Sequence, residues 1–271
     1  MDRGQPGADA DRASNYRVYD CLLGGTDNLA VDRVISARVL GAAPEAPRMV
    51  LANRAFLRRA VRFLAAEAGI GRFLDIGSGL SARGNVHEVA LEAGRPARVL
   101  YVDNDPDVVA RSRALLAGGG DGAAVIWADL RRPQELLARP EVRSLLEPGE
   151  PVALTLFGVL HLVGDEDPAG SVAALRAELP PGSYLAVSHV RDISASHPVE
   201  AAQIEIGLKA LGDLLGIVSW RGHEEILGYF GDFELLDPGL VPLPEWRPSP
   251  HSPRHQYAGH HAWVGGVARK R

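Results

Sequence analysis

Five short apolar runs, separated by stretches of helical periodicity, constrain this chain more than any other feature. They are Arg72–Ile76, Arg98–Val102, Ala123–Trp127, Val152–Phe157 and Ser183–Ser188. Each run is nearly continuous rather than alternating, the pattern of strands buried on both faces of a parallel sheet. Helical candidates lie between them, at about 85–93, 106–117, 133–146 and 168–179. Pro106 and Pro168 suit first helical turns, where a missing N–H costs nothing. Such alternation builds a doubly wound α/β sheet. Phe233–Leu236 and Ala262–Val267 bring the expectation to seven strands, mostly parallel.

The flanking segments divide the chain into three parts. Residues 1–14 are polar and rich in Gly, Ala and Asp, and are expected to form a disordered tail. Residues 15–69 are read as an N-terminal helical cap. A short helix over Tyr16–Leu23 stops at Gly24-Gly25, and a second covers about Ala30–Leu40. A third, about Ala46–Ala68, repeats Val50, Leu57, Val61, Leu64 and Ala68 at helical spacing and ends at Gly69. Residues 70–271 form the sheet domain. Within it Pro198–Leu215 reads as a long helix, open to use as a lid or as the face of a homodimer. His223–Tyr229 reads as a shorter helix. The link Asp237–Gly259 is rich in Pro and His, and Gly118–Gly120 reads as a surface turn.

Composition excludes several partners. Of 271 residues, 29 are cationic against 34 acidic, a net charge of −5, and only Lys209 and Lys270 are lysines. No basic stripe emerges, so no nucleic acid is expected. No apolar run reaches the length of a membrane span, and no basic-then-apolar leader opens the chain. A membrane partner is therefore not expected, and the cytoplasm is the expected compartment. Cys21 stands alone and carries no nucleophile signature.

The chemistry gathers at the carboxyl ends of the runs, where doubly wound sheets bind ligands. The first run delivers Asp75-Ile76-Gly77-Ser78-Gly79. Glycines there let a ligand approach the backbone. Ala82 holds the third glycine position of a dinucleotide fingerprint, which admits Ala. The second run leads into Asp103 and Asn104, and an acid there can accept from ribose hydroxyls. The third leads into Asp129 and Leu130, an acid suited to an exocyclic amine of adenine and a residue offering backbone contacts. Gly158 follows the fourth run. Each acid taken alone could simply cap the next helix. The five elements in this order argue for a nucleoside-bearing cofactor.

These residues, with Pro180-Pro181-Gly182-Ser183-Tyr184-Leu185, resemble class I S-adenosylmethionine-dependent methyltransferases. More narrowly, residues 15–268 resemble a bacterial family, abundant in actinomycetes, known as S-adenosyl methyltransferase. The resemblance is carried by Arg17–Asn28, Ala52–Ala60, Phe73–Gly79, Tyr101–Pro106, Val159-Leu160-His161 and Tyr184–His189. It departs at Thr26, where the family commonly carries Lys. The resemblance implies a Rossmann-like fold, S-adenosyl-L-methionine as cofactor, and methyl transfer to a small-molecule acceptor. It also implies that the segment before the sheet closes over the cofactor, with Tyr16, Tyr19, Asp20, Asp27, Asn28 and Arg54 at the pocket.

Two alternatives stay open on the sequence: a cofactor-binding regulatory protein, and a nicotinamide-dependent oxidoreductase. Asp129 and the absence of a Tyr-x-x-x-Lys pair count against the second. His161 and His189, near the ends of the fourth and fifth runs, are the candidate bases. No metal is expected. His87-Glu88 lacks a second His four residues on, and His251, His255, His260 and His261 are irregularly spaced with no acid or Cys beside them. Gly164–Asp167 reads as a helix cap.

Overall fold

A computed structural model describes residues 13–79, 84–118, 122–147, 149–164, 166–215, 218–248 and 257–271, without the side chains of 207, 208, 210, 211 and 213–215. The expectations for residues 1–12, Ala82, 119–120, Asp165, His251 and His255 lie outside the described residues.

Three helices precede the sheet: α1 (Asn15–Leu22), α2 (Ala30–Ala42) and α3 (Ala46–Arg62). Ser14 caps α1 by accepting from the Arg17 N–H at 3.2 Å. One π-helical turn, Phe63–Glu67, extends α3, and Gly69 at φ 72° stops it. Then follow β1 (Arg72–Ile76), α4 (Val86–Glu92), β2 (Arg98–Asp103), α5 (Pro106–Leu116) and β3 (Ala123–Trp127). Next come α6 (Pro133–Leu137), α7 (Pro140–Leu146), β4 (Ala153–Phe157), α8 (Pro168–Glu178) and β5 (Tyr184–Val190). The chain closes with α9 (Pro198–Leu215), α10 (His223–Gly228), β6 (Glu234–Leu235), β7 (Val241–Pro242) and β8 (Trp263–Arg269).

The sheet runs β3-β2-β1-β4-β5-β8-β6, parallel through β5, with β8 antiparallel to both of its neighbours. This is the mostly parallel α/β architecture expected. The two-residue β7 adds an eighth strand from the Pro- and His-rich link, pairing with β8 at Val264 and Gly265. Strand order reverses between β1 and β4, so the switch-point crevice opens there, at the carboxyl ends.

Alternation splits the core between the two sheet faces. Phe73, Tyr101, Ala186 and Val190 pack on one face with Phe56, Val61 and Leu64 of α3. Leu74, Leu100, Leu154 and Val187 pack on the other. Of the N-terminal helices, α3 packs directly on this face of the sheet. Phe56 meets Phe157 and Trp246 edge-on, with ring centroids 5.7 and 5.4 Å apart. A Cβ on Gly265 of β8 would stand 2.7 Å from Phe56, so close packing of α3 requires glycine there.

Two helical boundaries have local causes. The single helix expected over 133–146 is two helices. Arg139, before Pro140, is extended at ψ 131°, because proline crowds a helical residue ahead of it. At α8, Asp167 Oδ1 accepts from the Gly170 N–H at 2.8 Å.

Candidate functional site

The switch-point crevice opens into a cavity of about 810 Å³ under α1, α3 and α9. Its floor is the glycine loop after β1. Gly77 (φ 71°) and Gly79 (φ 42°) hold left-handed backbone. A Cβ on Gly77 would stand 2.3 Å from Val159 Cγ2, so no larger residue fits without moving the β4 end. The Gly77 N–H donates to Val102 O at 2.8 Å and the Gly79 N–H to Asp103 Oδ2 at 3.1 Å. The loop is thereby tied to the end of β2.

Asp103 also accepts from the Asp105 N–H, at 3.0 Å through Oδ1. Each oxygen keeps a lone pair, so the carboxylate can accept further hydrogen bonds. Burial raises its pKa to about 6 against the backbone N–H groups of Asp105, Gly79 and Asn104. Asp75, buried behind the loop, is likewise raised to about 6 by burial, although Thr155 Oγ1 donates to it and Arg54 lies near. Arg54 lines the cavity and donates to Gly84 O at 2.8 Å.

Asp129 and Leu130 line the cavity at the end of β3, and Asn104 at the end of β2. Asp129 is not free. Arg131 Nε lies 2.9 and 3.0 Å from its two oxygens, and the Arg131 N–H donates to Oδ1. Burial pushes the Asp129 pKa up, and the Arg131 fork outweighs it and holds the group ionised. Sequence reasoning missed Arg131. The available signal was the Asp-x-Arg spacing, at which a turn folds the cation back.

The roof is α1. Tyr16 lies on the loop, its Cδ2 3.4 Å from where a Gly79 Cβ would stand. Its hydroxyl is buried and has no hydrogen-bond partner among the described residues. Burial, then Asp27 and Asp20, push its pKa up to about 12. Tyr19 also lines the cavity and donates to Val50 O at 3.2 Å while accepting from Asn53 Nδ2 at 3.1 Å. Asn53 Oδ1 in turn accepts from Ser188 Oγ at 2.6 Å, joining α1, α3 and β5. Asp20, Asp27 and Asn28 do not line the cavity. Asn28 Nδ2 is spent on Asp20 Oδ2 (3.0 Å) and Gly25 O (2.9 Å), and Asp27 lies beside Arg111. They brace the turn behind Tyr16. Arg17 is buried among Asp32 (2.7 Å) and Asp107 (3.2 Å), fastening α1 to α2 and α5.

The far end of the cavity is apolar, with Met49, Val50, Phe157, Val190, Ile204 and Trp263. Ile204 comes from α9, so that helix contributes to the roof. Gly158 opens this end, with Asn53 Nδ2 and Trp263 Cζ2 both 3.1 Å from where its Cβ would stand. His161 lies here on a 3₁₀ turn, Leu160–Leu162. It is buried, and its Nδ1 has no hydrogen-bond partner among the described residues. Burial, then His189 and Arg221, hold its pKa well below the ordinary value, so the ring is neutral at pH 7.

His189 is placed differently from the sequence expectation. It does not line the cavity, and both ring nitrogens are engaged. Arg221 donates to Nε2 at 3.0 Å, so Nδ1 carries the proton and donates to Val190 O. Burial drives its pKa down to about 4. The cause is strand parity. Ser188 and Val190 face α3 and the cavity, and His189 points to the other face, beside Tyr229.

Two ends of one cavity thus offer different chemistry. Acids, glycines and backbone groups at the β1–β3 edge suit a nucleoside, and apolar walls with a neutral imidazole suit an uncharged partner. Ser78 Oγ beside the loop and Trp263 Nε1 at the far end are also buried without hydrogen-bond partners among the described residues. Such atoms are rare in folded proteins and call for a ligand or water.

The family model described as S-adenosyl methyltransferase matches residues 2–271. A candidate methyltransferase from Thermobifida fusca is 40% identical, with a TM-score of 0.88 over 100% of both chains. A DUF574 family protein from Streptomyces avermitilis is 35% identical, with a TM-score of 0.85 over 97% of this chain and 99% of that one. The 1,6-didemethyltoxoflavin-N1-methyltransferase of Burkholderia thailandensis, solved with 1,6-didemethyltoxoflavin and S-adenosylhomocysteine, shares the fold at 21% identity. Its TM-score is 0.50 over 97% of this chain and 93% of that chain. No curated protein matches the sequence. No helix of the described residues is long and apolar enough to cross a membrane.

Proposed function

We propose, on the premise that this chain belongs to the S-adenosyl methyltransferase family, that the cavity holds its two reactants end to end. The chain is a class I methyltransferase and its cofactor is S-adenosylmethionine. Family membership removes the nicotinamide alternative. The residue roles, the small acceptor and the cytoplasmic setting are our reading.

The residues present fit the cofactor. Asp103 would accept from the ribose hydroxyls, and the Gly77-Ser78-Gly79 backbone would border the amino-acid portion, with Asp75 behind it. Asn104, Asp129 and Leu130 would frame the adenine, and Arg54 would face the cofactor carboxylate. Tyr16 and Tyr19 would close over it, and Gly158 would leave room where the two reactants meet. When bound, S-adenosylmethionine supplies a methyl group on a sulfonium, open to in-line displacement.

The protein's own part is to position the acceptor and keep water out. Met49, Val50, Phe157, Val190, Ile204 and Trp263 form an apolar end that excludes charged acceptors. His161, protonated at Nε2, can accept at Nδ1 from an acceptor O–H or N–H and take the proton it releases. Trp263 Nε1 can donate to a second acceptor atom. The carrying observation is that His161 Nδ1 is buried, neutral and unpartnered at this end. The volume, about 810 Å³, suits a cofactor and a small planar molecule together. The Burkholderia enzyme, with its bound heterocycle, is a precedent in the same fold.

The test pairs binding with turnover. Calorimetry is expected to give micromolar or tighter binding of S-adenosylmethionine and S-adenosylhomocysteine, and weak binding of NAD. Labelled methyl transfer is then screened over uncharged aromatic hydroxyl and ring N–H compounds. His161→Ala should lose most turnover while cofactor affinity stays within about threefold. Binding without transfer to any such compound, or transfer only to charged or macromolecular acceptors, overturns the acceptor reading.

A further inference from the structure

At the start of α9 three stretches of chain meet: the first turn of α9, the 3₁₀ turn Leu243–Glu245, and the turn leading into β8. One ligating atom each from Glu245, His260 and His261 lies within 4.8 Å of the others. We infer that these three residues bind a divalent transition-metal ion of the zinc type.

Four observations carry the inference. First, the donor set of two imidazoles and a carboxylate is that of zinc. Second, Glu245 Oε1 already lies 3.0 Å from His260 Nε2. Metal–ligand bonds of about 2.0–2.1 Å in a tetrahedral site separate ligand atoms by about 3.3 Å, so little movement is needed there. Third, His261 has a built outer shell. Its Nδ1 lies 2.8 Å from Glu200 Oε2, and its N–H donates to Glu200 Oε1 at 2.9 Å. A carboxylate on Nδ1–H leaves Nε2 as the coordinating nitrogen, the usual way a ligating imidazole is oriented. The His197 ring stacks on His261, with centroids 4.0 Å apart. Fourth, His260 is buried, and its ring stands edge-on to those of Tyr257 and His261, with centroids 5.7 and 4.8 Å away. Arg191, which also faces the group, sets one positive charge against Glu200 and Glu245. One negative charge remains for a cation.

A cleft of about 440 Å³ lined by His197, Glu200 and Tyr257 adjoins the ligands and leaves room for a fourth, such as water. The absence of an acid beside His260 and His261 argued against a metal in the sequence. The fold supplies one from 15 residues upstream, and a second in Glu200. A bound ion would pin α9, and with it Ile204, to the sheet.

The experiment uses the full chain, stripped with a chelator and loaded with Zn²⁺, with metal content measured after gel filtration. Co²⁺ reports geometry by its visible spectrum. One retained equivalent, a tetrahedral-type Co²⁺ band and a raised Tm are expected. Glu245→Gln and His261→Ala should each lose the equivalent while circular dichroism stays native. Glu200→Gln should keep the stoichiometry and weaken Zn²⁺ binding about tenfold or more. The double variant His251→Ala, His255→Ala should retain the site. No retained equivalent, retention in Glu245→Gln and His261→Ala, or its loss in the His251, His255 variant overturns the inference. None of these readouts depends on methyl transfer.

Discussion

Asp75 and Asp103 carry the same electrostatic cost. Asp75 is buried and Asp103 half-buried, and desolvation raises both pKa values to about 6. Such a group binds its proton more tightly in the folded state. Its stabilisation is fully present below the ordinary value of 3.8 and is lost as pH rises through about 6. Asp75→Asn should therefore stabilise the ligand-free protein at pH 8, by on the order of 1–3 kcal/mol, with the gain vanishing near pH 4. Denaturant unfolding at the two pH values checks it, and no gain at pH 8 refutes it. Asp103 accepts best when ionised, so S-adenosylhomocysteine affinity should fall as pH drops below about 6. Asp103→Ala should weaken it tenfold or more at pH 8, with native circular dichroism. The strand-end acids were legible because a buried apolar run stops where the strand leaves the core. The histidines were not separable in the same way. In Tyr184–Val190 every residue is buried, so sequence shows no parity, and only the three-dimensional arrangement distinguishes His189 from its neighbours. His189→Ala should accordingly lower stability by roughly 2–4 kcal/mol in urea unfolding, from a cavity and one lost hydrogen bond to Arg221.

At the scale of elements, a buried ion pair fastens α1 to α2. Arg17 and Asp32 are 3% and 0% exposed, and Asp32 also accepts from the Leu29 N–H at 2.8 Å and the Ser14 N–H at 3.1 Å. Removing Asp32 leaves Arg17 with the half-buried Asp107 and strands the Leu29 and Ser14 N–H groups, a loss of about 2–4 kcal/mol. Asp32→Ala should undock α1 and α2 while the sheet stays folded. Hydrogen exchange should rise over residues 15–42 and remain slow in β1, β4 and β5. Uniform exchange across the sheet would mean that the roof is not a separable unit. The helices and strands themselves were largely legible. Arg72–Ile76 and Ala123–Trp127 keep their expected limits, because buried parallel strands are short, apolar and closed by Gly or Asp. The break at Pro140 was also present in the sequence, through the rule that proline disfavours a helical predecessor. The packing of α2 against α9 was not, since it joins segments more than 150 residues apart.

For the whole molecule, ligand and roof are linked. A ligand at 100 times its Kd adds about 2.7 kcal/mol to the folded state. For a chain of this size that is a Tm rise of about 5–10 °C. S-adenosylhomocysteine should produce it in differential scanning fluorimetry, and Tyr16→Ala should reduce it without lowering the ligand-free Tm by more than a few degrees. The consequence of Tyr16 resting on Gly79 reaches beyond affinity. If Tyr16 closes over the cofactor as proposed, a spent product beneath that ring departs only when α1 swings away, whereas bond making needs no such movement. The enzyme's first catalytic cycle should therefore run faster than its later ones, and rapid-quench traces should show a burst equal to the concentration of sites, followed by a slower line. In Tyr16→Ala the line should steepen towards the burst, and a purely linear trace in the native protein would show that the gate does not pace the cycle.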